Sequence, residues 1–578
     1  MTYFPPKAGE PYFSISVPTF PQTLRAHYER TPDRLALRLV SAKQPDIEIT
    51  YCDLIEKSAG FAQQYADAGV KPGEVIIIIL QHGEALVYAF WGAVLHGAVP
   101  SLLPWLTEKL SPEKYRADLA ALVGLTQPGA VVTYPAFEGE VRAAIADSRE
   151  QGAESRSQPS AFCPLPTLLV AADTSVTSPD WPTLGGMARM ADDLVVLQHS
   201  SGSTGLQKGV ALSHGAVFNQ LNAYAAAIKL DPAQDVIVSW LPLYHDMGLI
   251  ASFLMPVLLG VPVVLLSPFD WVRAPVKLLQ LISTHNGTLT WLPNFAFNFM
   301  AQKIRDRDLR DRDLGDRDLR DVRLDSMRLF VNCSEPTFAA SHQVFVQRFA
   351  AYGVIPEMLT TCYAMAENVF AVTQGMGHGA WTEARGALLS AGLPLPNVRV
   401  RIVGSDGDDA TAGAVGEITL QSDCMLTGYY HRPDATAQAI HDGWYFTGDL
   451  GYLDAQTGEL FVTGRKKDLI IVGGKNIYPQ DLERLADKVP GVHAGRTVAF
   501  GVFDASAGTE EVVLLAESDV VGEDAQNELA LAVRQFITKN SDVAVRMVEI
   551  MPLGTLLKTS SGKIARAANR ERYLFKLP

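Results

Sequence analysis

The segment LQHSSGSTGLQKG, residues 197–209, combines serine, glycine and threonine with a closing lysine. Glycines allow a backbone to approach anionic oxygens closely, hydroxyls donate hydrogen bonds, and Lys208 supplies a fixed cation. This composition predicts a loop that holds a polyphosphate, although the Walker spacing G-x-x-x-x-G-K-[ST] is absent. An ordinary serine and glycine turn would show the same composition, so other segments of the chain must decide between the two.

The sequence around this loop predicts alternating strands and helices. The apolar run 194–197 predicts a buried strand, and Ser213 is placed to cap a helix that passes through Val217 and Leu221. Because short apolar runs alternate with helical patterns from about residue 20 to 460, we predict an α/β fold of layered, largely parallel sheets and helices. Further buried strands are predicted at 75–80, 131–134, 168–171, 261–266 and 329–333.

Length and composition limit the class of protein. A chain of 578 residues exceeds what one hydrophobic core usually supports, so two or more domains are expected. With 48% hydrophobic and 19% charged residues, the composition is that of a well-packed globular protein. The net charge of −14 argues against a general nucleic-acid partner, because phosphate backbones attract basic surfaces.

Cysteine usage and the N-terminus bear on the compartment. The cysteines lie far apart without a C-x-x-C pair, which suits a reducing compartment and supports neither a zinc site nor a disulfide framework. The first residues lack a basic segment followed by an apolar core, so no secretory signal is predicted. The apolar run 253–266 is too short to span a bilayer. We expect a soluble, cytoplasmic protein without a membrane span.

A change in composition near residue 464 predicts two domains, 1–464 and 465–578. The second has the pattern of a small α+β unit, with a helix opened by Pro479, a strand at 512–516 and a helix at 526–537.

Two segments carry no predicted chemistry. Residues 148–166 are rich in serine, glutamine and proline and predict a surface loop. The near-repeat RDRDL-RDRDL-GDRDL-RDVRL at 305–324 predicts a solvated, partly helical excursion, because its alternating charges cancel.

Several further motifs decide the class. They are SWLPLYHDMGLI (239–250), NCSEP (332–336), TCYAMAENVF (361–370), GWYFTGDLGYLD (443–454), TGRKKDLIIVGGKNIYPQDLE (463–483) and KTSSGKIAR (558–566). In this order they resemble the adenylate-forming superfamily of acyl-CoA synthetases, luciferases and peptide-synthetase adenylation domains, and are most similar to fatty acyl-AMP ligases. The resemblance implies that superfamily's fold, a large N-terminal domain with a small, mobile C-terminal domain.

The implied reaction explains why such residues are needed. A carboxylate becomes a good electrophile when its oxygen attacks the α-phosphorus of ATP, which gives acyl-AMP and pyrophosphate. Such phosphoryl chemistry is catalysed by positioning and by neutralising the developing charge. By resemblance, Thr204 and Lys208 hold the β- and γ-phosphates, Glu367 and Thr204 bind Mg²⁺, and Asp449 and Arg465 contact the ribose. The remaining nucleotide contacts implied are Ser200, Ser201, Gly202, Ser203, Gly205, Ser334, Glu335, Pro336, Tyr363 and Lys467.

Three catalytic features are also implied by the resemblance. Lys563 matches the lysine that bridges the attacking carboxylate and the α-phosphate, arriving on a glycine-flanked loop. Lys467 matches a hinge about which the C-terminal domain rotates between half-reactions. His245 matches a residue near the acyl channel, although a packed, hydrogen-bonded histidine would look the same. The aromatic segment 291–300 lies beside that channel or forms a core helix.

The acyl acceptor stays open at this stage. Fatty acyl-AMP ligases pass the acyl group to the phosphopantetheine of an acyl carrier protein, here a carrier or a polyketide or peptide synthase acting in trans. Only 24 residues (368–391) separate Glu367 from Gly392, and GGKNIYP resembles the form found in CoA ligases. The alternatives are an acyl-CoA synthetase that uses free CoA, a non-adenylating acyl-nucleotide binder, and a luciferase-like oxidase.

Overall fold

The computed structural model describes residues 18–42, 44–105, 112–154, 166–171, 176–199, 208–309, 322–334, 337–375, 388–472, 475–504, 509–541, 543–559 and 562–576. The helices are α1 (Phe20–Arg30), α2 (Tyr51–Asp67), α3 (Glu84–His96), α4 (Pro112–Thr126), α5 (Glu138–Glu154), α6 (His214–Ala227), α7 (Met255–Leu259), α8 (Pro268–Arg273), α9 (Val276–His285), α10 (Asn294–Lys303), α11 (Ala339–Phe349), α12 (Pro433–Ala439), α13 (Pro479–Ala486), α14 (Glu523–Asn540) and α15 (Arg566–Lys576). The strands are β1 (Leu35–Ser41), β2 (Gln44–Thr50), β3 (Val75–Ile79), β4 (Val99–Leu102), β5 (Ala130–Thr133), β6 (Thr167–Val170), β7 (Leu194–His199), β8 (Gly209–Ser213), β9 (Ile237–Ser239), β10 (Val263–Leu266), β11 (Leu289–Pro293), β12 (Leu329–Cys333), β13 (Leu359–Ala364), β14 (Ala371–Gln374), β15 (Leu393–Pro394), β16 (Val398–Val403), β17 (Gly416–Ser422), β18 (Gly428–Tyr429), β19 (Ile440–His441), β20 (Trp444–Leu453), β21 (Leu460–Arg465), β22 (Ile470–Val472), β23 (Lys475–Ile477), β24 (Thr497–Asp504), β25 (Thr509–Ser518) and β26 (Val545–Pro552).

The described residues form two compact units, one of residues 18–400 with 420–445 and one of 401–419 with 446–576. Strands β16, β17 and β20 each run across a boundary between the units. The domains predicted from the change in composition, 1–464 and 465–578, stay a prediction.

The first unit is built on a large sheet with the order β15-β14-β13-β12-β11-β9-β10-β1-β2. Neighbours from β13 through to β1 pair in parallel, and antiparallel strands flank them. The sequence prediction of layered, largely parallel sheets is confirmed. Parallel strands are buried on both faces, which is why they appear in the sequence as continuous apolar runs.

A second parallel sheet has the order β4-β3-β5-β6. Its central strand, VIIII, is fully buried, and its side chains alternate between two cores. Ile76 and Ile78 belong to the core that includes α2 and α3, whereas Ile77 and Ile79 belong to the core that includes α4 and α5. A helix layer on each face therefore accounts for five consecutive apolar residues.

The small sheet β18-β8-β7 holds the strands on either side of the serine- and glycine-rich segment. The strand predicted at 194–197 is β7, which pairs antiparallel with β8. As predicted, the Ser213 hydroxyl caps α6 by accepting a hydrogen bond from the backbone N–H of Ala216 at 3.2 Å.

The second unit contains the sheet β24-β25-β26, which has a core on each face. Val512 and Leu514 pack with residues of α13 and α14, while Val513 and Leu515 pack with Leu556 and with Tyr573 of α15. The predicted helices at 479 and 526–537 and the predicted strand at 512–516 are confirmed as α13, α14 and β25.

Two expectations about surface segments need correction. Residues 148–154 continue α5 instead of forming a loop, since the buried Ser148 bonds the Ile145 carbonyl within the helix; 155–165 lie outside the described residues. The repeat at 305–324 is solvated only in part, because Leu309 and Leu324 are fully buried; 310–321 lie outside the described residues. Among the helices described, none is long and apolar enough to cross a membrane.

Candidate functional site

The candidate site in the first unit follows the carboxyl ends of parallel strands. His245 follows β9, Ser334 follows β12, and Glu367 follows β13. Because these strands run parallel in one sheet, their carboxyl ends lie at the same edge. Open α/β sheets bind ligands at this edge, where loops diverge and leave a crevice.

His245 and Ser334 lie close to the same methionine. The Asp246 carboxylate accepts a hydrogen bond at 2.8 Å from the N–H of Met247, where a π-helical segment (Met247–Leu254) begins. The Ser334 hydroxyl lies 3.9 Å from the Met247 sulfur, and Ser334 has a left-handed backbone with φ of 74°. The His245 ring lies 4.9 Å from that of Tyr244. The structure therefore brings two of the predicted site residues to one region.

Glu367 is held by a tightly constrained turn. Val369 has φ 63° and ψ −56°, and the N–H of Phe370 donates to the Asn368 carbonyl at 2.6 Å. This is a γ-turn, a rare and strained conformation for a β-branched residue. The fully buried Asn368 fixes the turn by donating to the Ala371 carbonyl at 2.8 Å and accepting from Ser422 at 2.5 Å. Such strain persists where the surroundings determine the backbone, and it is common at functional sites.

Tyr429 connects Glu367 with Lys208. The Tyr429 hydroxyl donates to the Glu367 carboxylate at 2.8 Å, and the Lys208 ammonium lies 4.6 Å from the centre of the Tyr429 ring. The hydroxyls of Tyr429 and Tyr445 are 3.0 Å apart. Burial, followed by the Glu367 charge, raises the pKa of Tyr429 well above its ordinary value, so its hydroxyl stays protonated.

Strand pairing places Lys208 at this point. Tyr429 of β18 lies opposite Val210 of β8, and the N–H of Tyr430 donates to the Gly209 carbonyl at 2.8 Å. Lys208 directly precedes β8, so the end of the serine- and glycine-rich segment 197–209 is hydrogen-bonded to the chain segment that carries Tyr429.

The donors around Glu367 suit Mg²⁺. This ion is usually held by one or two carboxylates together with substrate phosphates, without a dedicated protein cage. Within the described part of the chain, no group of three or more His, Cys, Asp or Glu side chains could hold a metal ion. Glu367, joined to the cation Lys208 through Tyr429, could supply one carboxylate to a metal shared with a polyphosphate. Thr204, its predicted partner, lies outside the described residues.

A small apolar recess lies in the same unit. Two of its lining residues, Leu243 and Tyr244, immediately precede His245. Its free space is about 20 Å³, roughly enough for one water molecule, so it resembles a ligand pocket in its apolar lining and not in its size. The lining residues are Leu80, His82, Leu86, Leu102, Leu103, Trp105, Pro242, Leu243, Tyr244 and Pro268.

The aromatic segment at 291–300 is largely core. Phe297 of α10 is fully buried against Phe345 and His342, and Phe295 packs edge-on against Trp240. None of the described residues of α10 lines the recess.

The second unit pairs two of the predicted ribose contacts. Asp449 of β20 lies opposite Arg465 of β21, and the Arg465 Nε donates to the Asp449 carboxylate at 2.9 Å. The Asp449 side chain is 9% exposed and that of Arg465 is 53% exposed. The Arg465 side chain is therefore about half exposed to solvent, whereas the Asp449 carboxylate is nearly buried beside it. Lys467 lies in the 3₁₀ turn Lys466–Asp468 directly after β21.

Lys563 lies on a short loop before α15. The N–H of Thr559 donates to the Lys563 carbonyl at 2.7 Å, and that of Ala565 donates to the Leu557 carbonyl at 2.9 Å. The loop is anchored by Arg566, which donates to Asp468 at 2.8 Å and to Glu483 at 2.8 and 3.0 Å. The same contacts tie the turn containing Lys467 to the start of α15.

The sequence motifs named several residues of this candidate site but not the contacts that join them. The predicted residues Ser200, Ser201, Gly202, Ser203, Thr204, Gly205, Glu335 and Pro336 lie outside the described residues. Tyr363 is in β13, four residues before Glu367. Tyr429, Tyr445 and Arg566 were missed; Tyr445 and Arg566 lie within quoted motifs, whereas no quoted motif contains Tyr429.

Comparison with known proteins identifies the family. The chain is 30% identical to a long-chain-fatty-acid–AMP ligase of Mycobacterium marinum, over 91% of each chain. It is also 30% identical to a putative fatty-acid–CoA ligase of Mycobacterium leprae, over 91% of this chain and 92% of that one. A structure from studies of fatty acyl-adenylate ligases of E. coli and L. pneumophila superposes with a TM-score of 0.81 and 27% identity, covering 96% of this chain and 98% of that one. The family model for AMP-binding enzymes matches residues 24–430, and the chain belongs to this family.

Proposed function

We propose that this enzyme activates a fatty acid as its acyl adenylate, with release of pyrophosphate from ATP. It then transfers the acyl group to a thiol, the phosphopantetheine arm of an acyl carrier protein acting in trans. The observation that carries the proposal is the joining of Lys208 and Glu367 through Tyr429, in the unit that also holds the apolar recess beside His245.

The phosphate groups of ATP need opposite charge and a metal. Lys208 and Thr204 would hold the β- and γ-phosphates of the leaving pyrophosphate, and Glu367 with Thr204 would hold Mg²⁺. The metal would neutralise charge that builds up on the phosphate oxygens. The serine- and glycine-rich residues 200–205, Ser334 to Pro336, Tyr363 and Lys467 complete the proposed nucleotide contacts.

The second unit would supply the remaining polar groups. Asp449 would accept hydrogen bonds from the ribose hydroxyls, and Arg465, whose side chain is half exposed, would contact ribose and phosphate. Lys563 bridges the carboxylate and the α-phosphate during adenylation. A positioned ammonium is most valuable where negative charge develops in the transition state.

The recess supports an alkyl substrate. Its walls are mainly leucine, proline and aromatic side chains, and it adjoins the residue before His245. An alkyl chain gains free energy from leaving water in proportion to its buried apolar area. We therefore propose that the acyl tail packs along this apolar lining once the side chains around the recess move apart, with its carboxylate directed towards His245.

The acceptor is the second part of the proposal, and free CoA is the alternative. The two relatives described above carry names of both kinds. Cys52, Cys333, Cys362 and Cys424 are free thiols, although Cys333 and Cys362 lie opposite each other on β12 and β13, which suits a reducing, cytoplasmic location.

The test is pyrophosphate release from ATP and Mg²⁺ with fatty acids of graded length, followed by mass spectrometry for acyl-AMP. Each active acid is then offered to CoA and to a phosphopantetheinylated carrier protein. Faster loading of the carrier supports the proposal, and equal or faster acyl-CoA formation favours the alternative. No pyrophosphate release with any acid would refute adenylation and support a non-adenylating binder.

A further inference from the structure

The direction of the hydrogen bonds around Tyr429 follows from which of the neighbouring groups carry a proton to donate. A carboxylate only accepts hydrogen bonds, so the single hydroxyl proton of Tyr429 is donated to Glu367. The Tyr429 oxygen must then accept the proton of Tyr445, whose oxygen is 3.0 Å away. The chain therefore runs from Tyr445 to Tyr429 to Glu367, and each bond polarises the next.

The position of Tyr429 is rigid. Its side chain is 6% exposed and that of Tyr445 is 5% exposed. The backbone N–H of Tyr429 donates to the Thr436 hydroxyl at 2.9 Å, and β18 is paired with β8. A buried aromatic ring held at both its backbone and its hydroxyl has few alternative rotamers.

One side chain thus contacts two groups of opposite charge through different surfaces. The Tyr429 hydroxyl binds the Glu367 carboxylate, while the ring face attracts the Lys208 ammonium. The carboxylate is therefore held at the hydroxyl end of the ring and the ammonium over its face, so one rigid side chain sets the position of both charges.

We infer that Tyr429 is a positioning residue that fixes the Glu367 carboxylate and the Lys208 ammonium relative to each other for binding of a metal–polyphosphate. This inference rests on the proposed function, since Glu367 and Lys208 act there on Mg²⁺ and on the phosphates. Tyr445 supports it by orienting the Tyr429 hydroxyl.

Two substitutions separate the two contacts. Tyr429→Phe keeps the ring against Lys208 and removes the hydrogen bond to Glu367, whereas Tyr429→Leu removes both. The matched control is Tyr430→Phe, which loses a hydroxyl on the next residue of the same chain segment and keeps the backbone bond to Gly209. Thermal unfolding of each variant reports whether it folds.

Calorimetric binding of α,β-methylene-ATP, with Mg²⁺ or with EDTA, gives a readout that does not depend on turnover. Mg²⁺ increases the affinity of the wild type for the ATP analogue, and this increase should be roughly 10- to 100-fold smaller in Tyr429→Phe, because hydrogen bonds to charged groups are strong. Its affinity in EDTA should equal that of the wild type. Tyr429→Leu should also weaken binding in EDTA by roughly 2- to 30-fold, because the cation–π contact is lost.

In pyrophosphate release, Tyr429→Phe should raise the Mg²⁺ concentration needed for half-maximal rate, and Tyr445→Phe should do so less. The inference would be overturned if Tyr429→Phe and Tyr430→Phe behaved alike in both the binding and the pyrophosphate assays. It would also be overturned if Tyr429→Phe lost equal affinity for the ATP analogue with Mg²⁺ and with EDTA. Absence of pyrophosphate release by the wild type would refute the proposed function instead, and the binding assay would still judge Tyr429.

Discussion

Arg566 is expected to hold the Lys563 loop in place, so its removal should loosen that loop selectively. Its guanidinium donates to Asp468, to Glu483 and, through Nε, to the Ala499 carbonyl at 2.9 Å. The side chains of Arg566, Asp468 and Glu483 are 18%, 21% and 17% exposed. Arg566→Ala would leave two neighbouring carboxylates, one from the turn after β21 and one from α13, without their cation.

The size of the effect follows from this burial. Removing one partner of a fully buried pair costs about 3–5 kcal/mol, because the remaining charge is uncompensated. Since both carboxylates retain some contact with water, we expect the lower end, about 3 kcal/mol. If α15 and α13 open as one unit, their amide hydrogens should exchange roughly 100-fold faster, at 1.4 kcal/mol per factor of ten.

Hydrogen exchange of the full-length protein, read by mass spectrometry on peptides from α13 and α15, measures this opening. The control is Arg484→Ala, which removes an exposed pair with Asp481 in the same unit. Such a pair contributes about 1 kcal/mol or less, so exchange should change by less than about tenfold. Equal protection in Arg566→Ala and Arg484→Ala would refute the anchoring role.

Three further predictions concern catalysis, specificity and pH. Lys563→Ala should lower acid-dependent pyrophosphate exchange about a hundredfold or more while leaving the fold intact, and near-normal exchange would contradict its assignment. Leu103→Ala, which widens the recess, should move the preferred fatty acid to longer chains in the pyrophosphate assay, and an unchanged profile would place the acyl tail elsewhere. Burial lowers the pKa of His27 and His199 to about 4 and that of His214 and His342 to about 3. Between pH 6.5 and about pH 4 these histidines are therefore protonated in the unfolded chain but stay neutral in the folded chain. As the pH is lowered through this range, the free energy of unfolding should decrease by about 1.4 kcal/mol per pH unit for each histidine. Urea unfolding that is equally stable at pH 7 and pH 5 would show that these rings are not held neutral.

Local patterns were sufficient for many elements. Five consecutive apolar residues at 75–79 formed a strand buried on both faces, and Ser213 capped α6, because both outcomes depend on chemistry within a few residues. The predictions failed in two places, and in the second of them burial is decided by distant chain segments. Residues 148–154 continue a helix despite their polar composition, and Leu309 and Leu324 are buried at the ends of a highly charged repeat.

The sequence by itself determined the class of this protein and the residues of its motifs, among them Lys208, Glu367, Asp449 and Lys563, because each motif is continuous along the chain. Only the tertiary structure showed how two of these are connected. The pairing of β18 with β8 brings Tyr429 against Lys208, and its hydroxyl reaches Glu367. Pairing between strands far apart in the chain depends on the packing of the whole unit, which no local pattern encodes.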